Sequence, residues 1–208
     1  MKIIDNEDSA LDADKRDLSW RMKTTAGSRF NSAERLQKRD KRINVLNAVA
    51  SAAVIFLSVV PLTLKTNEWV TAAITLLTIF ASIMILVTAL VQYASEDAVK
   101  GAKLHSSGLE ITALRRKISY GQISDRQEFM AIVDKYDSIL AKYPNHDSPD
   151  YERYRKEHPD EFDNKPERGT GPGGLIEYRI KSASVSIVTI LIVLSTFVLM
   201  FLSFGLVK

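Results

Sequence analysis

The chain alternates between long uncharged runs and densely charged ones. Ile43–Leu64 has no Asp, Glu, Lys, Arg or His across 22 positions, and Trp69–Ser95 has none across 27. A third run, Ser182–Val207, is uncharged as well. As helices rising ~1.5 Å per residue, the first two extend ~33 and ~40 Å, against a hydrocarbon core of ~30 Å. Each can span a bilayer, the second with tilt or with one end among the headgroups. Only Lys65-Thr66-Asn67-Glu68 separates them, so they must run antiparallel. The pattern predicts a transmembrane hairpin over 43–95, with spans at 43–64 and 69–95. Burying the same runs in a soluble core would need a coat of other elements around helices that are apolar nearly all round. The chain has 208 residues, and much of the remainder is charged. The expected fold class is therefore an all-α membrane protein: a helical hairpin, a third C-terminal transmembrane helix over 175–207, and cytoplasmic helices.

Outside these runs the patterning is amphipathic or absent. Residues 1–16 are polar with no periodic apolar face and read as a loose N-terminal tail. Over 17–42 the composition is helical, without Pro and with Gly27 as a weak point, and predicts a cytoplasmic helix entering the first span. Region 96–143 predicts two more cytoplasmic helices. Ala98, Ala102, Leu109, Leu114 and Ile118 mark the first, with Gly101 and Gly108 as soft points. Ser124-Asp125-Arg126-Gln127 has the form of a capping box that opens the second. Phe129, Ile132, Val133, Tyr136, Ile139, Leu140 and Tyr143 then recur at helical spacing, as a packing face does. Five of the six prolines fall in 144–174, among dense charge, and predict a Pro/Gly-rich loop. The sixth, Pro61, interrupts the backbone bonding near the end of the first span. Trp69 and Tyr93 bracket the second span as an aromatic belt would.

Charge sets the expected orientation. Of 28 Lys and Arg, all but Lys65 and Lys208 lie in 1–42 and 96–181. The positive-inside rule puts those two regions in the cytoplasm and the C-terminus outside, as a multi-pass membrane protein. Arg39, Lys41 and Arg42 before the first span, and Arg179 and Lys181 before the third, are the boundary charges that count most. The basic surplus over 17–42 has two readings, binding to acidic lipids or a nucleic acid and ordinary topogenic charge on a solvated helix face. The second is favoured, and no direct nucleic-acid binding is expected. About forty polar residues precede the first apolar run, which argues against a signal peptide. The absence of Cys excludes disulfides, thiolate chemistry and Cys-ligated zinc.

Few residues ask for chemistry. Gly169-Thr170-Gly171-Pro172-Gly173-Gly174 spells the dinucleotide fingerprint, but Pro166-Glu167-Arg168 stands where a strand is needed and a membrane helix follows. It reads as a linker. His146 and His158 lie among Asp147, Asp150, Asp160 and Asp163 without metal-ligand spacing. No catalytic triad or paired carboxylate emerges, so neither enzyme activity nor a cofactor or metal is expected. The spans carry hydroxyl stripes instead: Thr71, Thr75, Thr78 and Ser82 in the second, Ser186, Thr189 and Thr196 in the third. Asn44, Asn47, Ser51 and Ser58 form a comparable line in the first. Two readings stand side by side, helix packing and a polar-lined pathway between subunits. In the loop, Asn145, His146, Asp150 and Tyr151 read as a structural clasp or partner contact, because Asn and Asp bond neighbouring backbone groups.

Trp20-Arg21-Met22-Lys23, Arg29-Phe30, Tyr93-Ala94-Ser95-Glu96-Asp97-Ala98 and Tyr143-Pro144-Asn145-His146-Asp147-Ser148-Pro149-Asp150-Tyr151, set around the hairpin, resemble the SLATT family of prokaryotic proteins (SMODS and SLOG-associating two-transmembrane effectors). The likeness is to a subfamily with an extra C-terminal transmembrane helix. It implies a pore-forming effector in an antiphage or conflict defence system, assembled as a homo-oligomer in the lipid bilayer. It also implies a signalling partner, either a nucleotide second-messenger enzyme or a reverse transcriptase. The alternative, from another class, is a non-conducting membrane-anchored scaffold or sensor that recruits a cytosolic partner.

Overall fold

A computed structural model describes residues 2–63 and 67–162, and every regular element among them is helical. The order is α1 (Lys2–Thr63), α2 (Glu68–Ser95), α3 (Asp97–Ser119), α4 (Arg126–Lys142) and α5 (Ser148–Glu157), then a 3₁₀ turn at Pro159–Glu161. The expected third span, with Ser186, Thr189, Thr196, Arg179 and Lys181, lies outside the described residues. So does Lys65. The described residues divide into two units, one containing Lys38–Asp97 and the other built from the chain up to Gln37 and from Ala98 to Phe162.

The first unit is the hairpin. Its α1 segment buries Ile43, Ala50, Leu57 and Val60, and α2 buries Ile74, Thr78, Ala81 and Thr88. Ala50 and Ala81 let backbones approach closely, which favours helix association where no hydrophobic drive exists. The remaining faces, including Ile55, Phe56, Leu62, Leu76, Phe80, Leu86 and Leu90, are exposed. Only 17% of the most apolar stretch of α1 and 22% of that of α2 is buried within the protein. A core helix would be mostly covered. These helices are apolar and uncovered, as lipid-facing spans are. Trp69 and Tyr93 stand exposed at the two ends of α2. The helix closes at Glu96, whose φ of 53° is left-handed and lets its N–H reach Tyr93 O at 3.3 Å.

The second unit is a helical bundle. Leu11, Leu18, Met22 and Ala26 of α1 join Ile111 and Leu114 of α3, Ile123, and Phe129, Tyr136 and Ile139 of α4 in one core. Ala33, Leu36 and Leu104 form a smaller one. Two glycines mark close approaches: the Tyr154 ring lies over Gly27 and the Phe30 ring over Gly108, where a Cβ would overlap either ring. The positions read from sequence as weak points are thus contact points.

Four expectations change here. The loose tail over 1–16 is part of α1, since Leu11 continues the stripe of Leu18, Met22 and Ala26 at steps of seven, four and four. The helix expected over 17–42 is likewise continuous with the first span. The capping box sits one residue later: Asp125 Oδ1 accepts from Glu128 N at 2.8 Å, and Glu128 Oε2 accepts from Ser124 N at 2.7 Å. Within 144–174, α5 and the 3₁₀ turn occupy Ser148–Glu161. Pro149 suits a first helical turn, and the buried positions of α5 are Asp150 and Tyr154, a face that carries no aliphatic signal.

Candidate functional site

In the hairpin, hydroxyls and amides follow a consistent geometry. Thr75 Oγ1 donates to Thr71 O at 2.9 Å, Thr78 Oγ1 to Thr75 O at 2.8 Å and Ser82 Oγ to Thr78 O at 2.7 Å. Each hydroxyl is satisfied by its own helix. The stripe straddles a boundary, for Thr78 is 9% exposed while Thr75 and Ser82 face outward. Asn44 bonds Asp40, and Ser51 and Ser58 bond their own backbone. Two further contacts join the hairpin's two arms, and a third ties α1 to the start of α3. Thr88 Oγ1 donates to Asn47 Oδ1 at 3.0 Å, and Gln92 Nε2 donates to Asp40 Oδ1 at 2.9 Å. Arg39 pairs with Asp97, whose side chain is 3% exposed. Lys41 and Arg42 are exposed.

From sequence, Asp97 stands out only as part of the Tyr93–Ala98 motif, and Asp40 and Gln92 do not stand out. The available signal was their position at the foot of the hairpin, but a foot is where charge is expected anyway.

In the bundle, the loop motif closes on α1. Arg35 Nε donates to Asp150 Oδ1 at 2.9 Å, and its Nη2 donates to Asp150 Oδ2 at 2.8 Å and Asp147 Oδ2 at 2.6 Å. Burial alone would lower the Arg35 pKa. The bonds and charge of Asp150, then Asp147, outweigh it and hold the group more basic than usual. Asn31 Nδ2 reaches Asp150 O at 3.4 Å, and Asn145 Oδ1 accepts from His146 N at 3.0 Å. Tyr143 Oη donates to Glu110, which also pairs with Lys142 at 3.1 Å; these bonds hold Glu110 below the usual carboxylate range.

An aromatic corner adjoins this loop. Phe162 meets Trp20, Tyr151 and Tyr154 edge-on at centroid distances of 5.7, 5.9 and 6.3 Å. Trp20 Nε1 donates to Glu161 O at 3.2 Å, and Lys23 pairs with the Glu161 carboxylate. Burial and then Glu161 push the Tyr154 phenol up to about 12. His158 stacks on Tyr154 at 4.3 Å. His146 and His158 thus serve different elements, and no group of three His, Asp or Glu able to hold a metal exists among the described residues.

A hairpin of uncovered apolar helices and a bundle of amphipathic ones define a small all-α membrane protein. The chain belongs to the SMODS and SLOG-associating 2TM effector domain family 5, which it matches over residues 11–204. Membership makes it a membrane effector of conflict systems. No curated protein and no solved structure matches the chain.

Proposed function

We propose that this effector oligomerises in the inner membrane into a pore that dissipates the membrane barrier when a signalling partner engages its cytoplasmic helices. The observation that carries the reading is the outward exposure of Thr75 and Ser82 on α2, beside the buried Thr78. One hairpin has too few helices to enclose water, so a pathway requires several copies around an axis. An exposed hydroxyl faces such an axis at far lower cost than a Leu. The N-terminus is cytoplasmic and the C-terminus external, following the basic residues. The partner is a nucleotide second-messenger enzyme or a reverse transcriptase, following the family likeness.

One observation favours the other reading, a non-conducting anchored scaffold: the three hydroxyls already bond their own backbone, as packing residues do. Ion flux and dye leakage after induced expression separate the two. Thr75→Leu with Ser82→Leu should preserve insertion and expression while sharply reducing leakage and toxicity. Leu76→Ala, at an exposed apolar position, is the control and should change leakage less. If the double variant leaks like the parent, this face of α2 lines no pore, and Ser186, Thr189 and Thr196 become the leading candidates. If the parent itself leaks nothing, the scaffold reading prevails.

A further inference from the structure

Three arginines of α1 reach buried positions or buried partners. Arg35 holds Asp147 and Asp150, and Arg39 holds Asp97. Arg29 differs. It is 1% exposed, its Nη1 donates to Ser107 Oγ, and its Nε has no partner. Among the described residues no carboxylate pairs with it. Burial lowers its pKa, and the groups acting back on its charge are the phenols of Tyr136 and Tyr143. A guanidinium does not give up its proton in a protein, so a fully buried one without a counter-charge is costly to retain. A second unpartnered atom belongs to a group that feels the charge of Arg29. His146 Nδ1 is buried without a hydrogen bond, and the charge of Arg29 acts on its ring. The two orphaned groups do not bond each other.

We propose that Arg29, Ser107 and His146 form a buried binding site for a tetrahedral oxyanion, inorganic phosphate or a phosphate monoester, closed by the loop at 145–150. The three donors come from α1, from α3 and from the loop. The guanidinium fork matches phosphate geometry, and the anion supplies the charge that Arg29 lacks. Ser107 can accept from Arg29 while its hydroxyl hydrogen turns to the ligand. His146 becomes the third donor once protonated. Entry requires the loop to lift, which means opening the Arg35 bonds to Asp147 and Asp150.

The site couples anion binding to proton uptake. His146 faces Arg29 from α1 and the carboxylates of Asp147 and Asp150 from its own side of the fold, both already engaged by Arg35. In the empty site, burial first and Arg29 second keep the imidazole neutral, against the pull of the two carboxylates. A bound anion offsets both and favours imidazolium. Affinity for an anion of constant charge therefore rises as pH falls.

The test uses the full chain in detergent, with thermal unfolding followed against anion concentration at ionic strength fixed by sodium chloride. Sodium sulfate, inorganic phosphate and phenyl phosphate should each raise Tm saturably, and sodium acetate should not. Dimethyl phosphate, a diester like that of a lipid headgroup, should act more weakly than phenyl phosphate. Half-saturation by sulfate should fall several-fold from pH 8 to pH 6, and His146→Ala should abolish that dependence. Arg29→Met should keep at least the parent's Tm without added anion and lose the sulfate response. Should Arg29→Met fail to fold, Ser107→Ala and His146→Ala carry the test, each expected to weaken sulfate about tenfold. The proposal is overturned by a parent that shows no saturable response or by acetate matching sulfate. It is equally overturned by a stronger diester, or by an unchanged sulfate response in the Arg29 variant or in both of the others.

Discussion

Arg35 makes two ion pairs of very different worth. The Asp147 side chain is 68% exposed, and a pair so open to water contributes roughly 0–1 kcal/mol. The Asp150 side chain is 3% exposed, and removing one partner of a buried pair costs about 3–5 kcal/mol because the other is left uncompensated. Asp147 remains to Arg35 in that case, so the lower end of the range applies. Asp150→Ala should therefore destabilise the chain by about 3 kcal/mol, and Asp147→Ala by less than about 1. Denaturant unfolding of the two purified variants measures both, and equal losses would refute the ranking. The loop motif thereby acquires a physical content: Asp150 ties α5 to α1, and Asn145 and His146 lie in the link that follows Tyr143.

At the scale of an element, the hairpin's register rests on polar bonds as well as on shape. Interhelical hydrogen bonds in bilayers average ~0.6 kcal/mol and reach ~1.7, well below the value intuition assigns to a buried polar contact. Asn47→Leu removes the acceptor for Thr88 and raises the apolarity of the first span. Insertion should be unchanged or improved, while the folded hairpin should lose about 1 kcal/mol. Unfolding in mixed micelles would register the loss. A variant as stable as the parent would show that Ala50, Ala81 and their neighbours hold the register without the Asn47–Thr88 bond.

For the molecule as a whole, the proposed orientation rests on a charge count that no single contact reveals. Because 26 of the 28 basic residues fall in the two regions assigned to one side, a reporter fused after Lys208 should be active only outside the cytoplasm. Cytoplasmic activity there would reverse the topology, and with it the surface on which a partner is met. The bundle containing the loop motif and the hairpin containing the hydroxyl stripe belong to different units. On the proposed function, reception of a signal and response in the membrane would fall to separate parts of one chain, which share α1.

The membrane spans were legible from sequence because a run of more than twenty uncharged residues leaves a helix few environments, whatever surrounds it. In the bundle α4 was legible for a similar reason, since Phe129, Tyr136 and Ile139 at helical spacing declare a face. In α3 the expected markers Ala98, Ala102 and Leu109 are exposed, and Leu104 and Ile111 join Leu114 on the buried face instead, because the small Gly101, Ser107 and Gly108 between them are what lets α1 approach. The family likeness was carried by short motifs, and their residues turn out to be joints: Trp20 and Lys23 at Glu161, Met22 in the core, Phe30 against Gly108. What those joints connect depended on residues over a hundred positions apart. Arg35 and Asp150 are 115 residues from each other, and nothing local to either marks the pair. The tail before residue 17 looked loose because the partners of Leu11 lie in α3 and α4. The character of Arg29 was the most hidden of all. A lone arginine among many basic residues reads as surface charge, and only the packing of α1 against α3 and α4 makes it a buried cation with no counter-ion among the described residues.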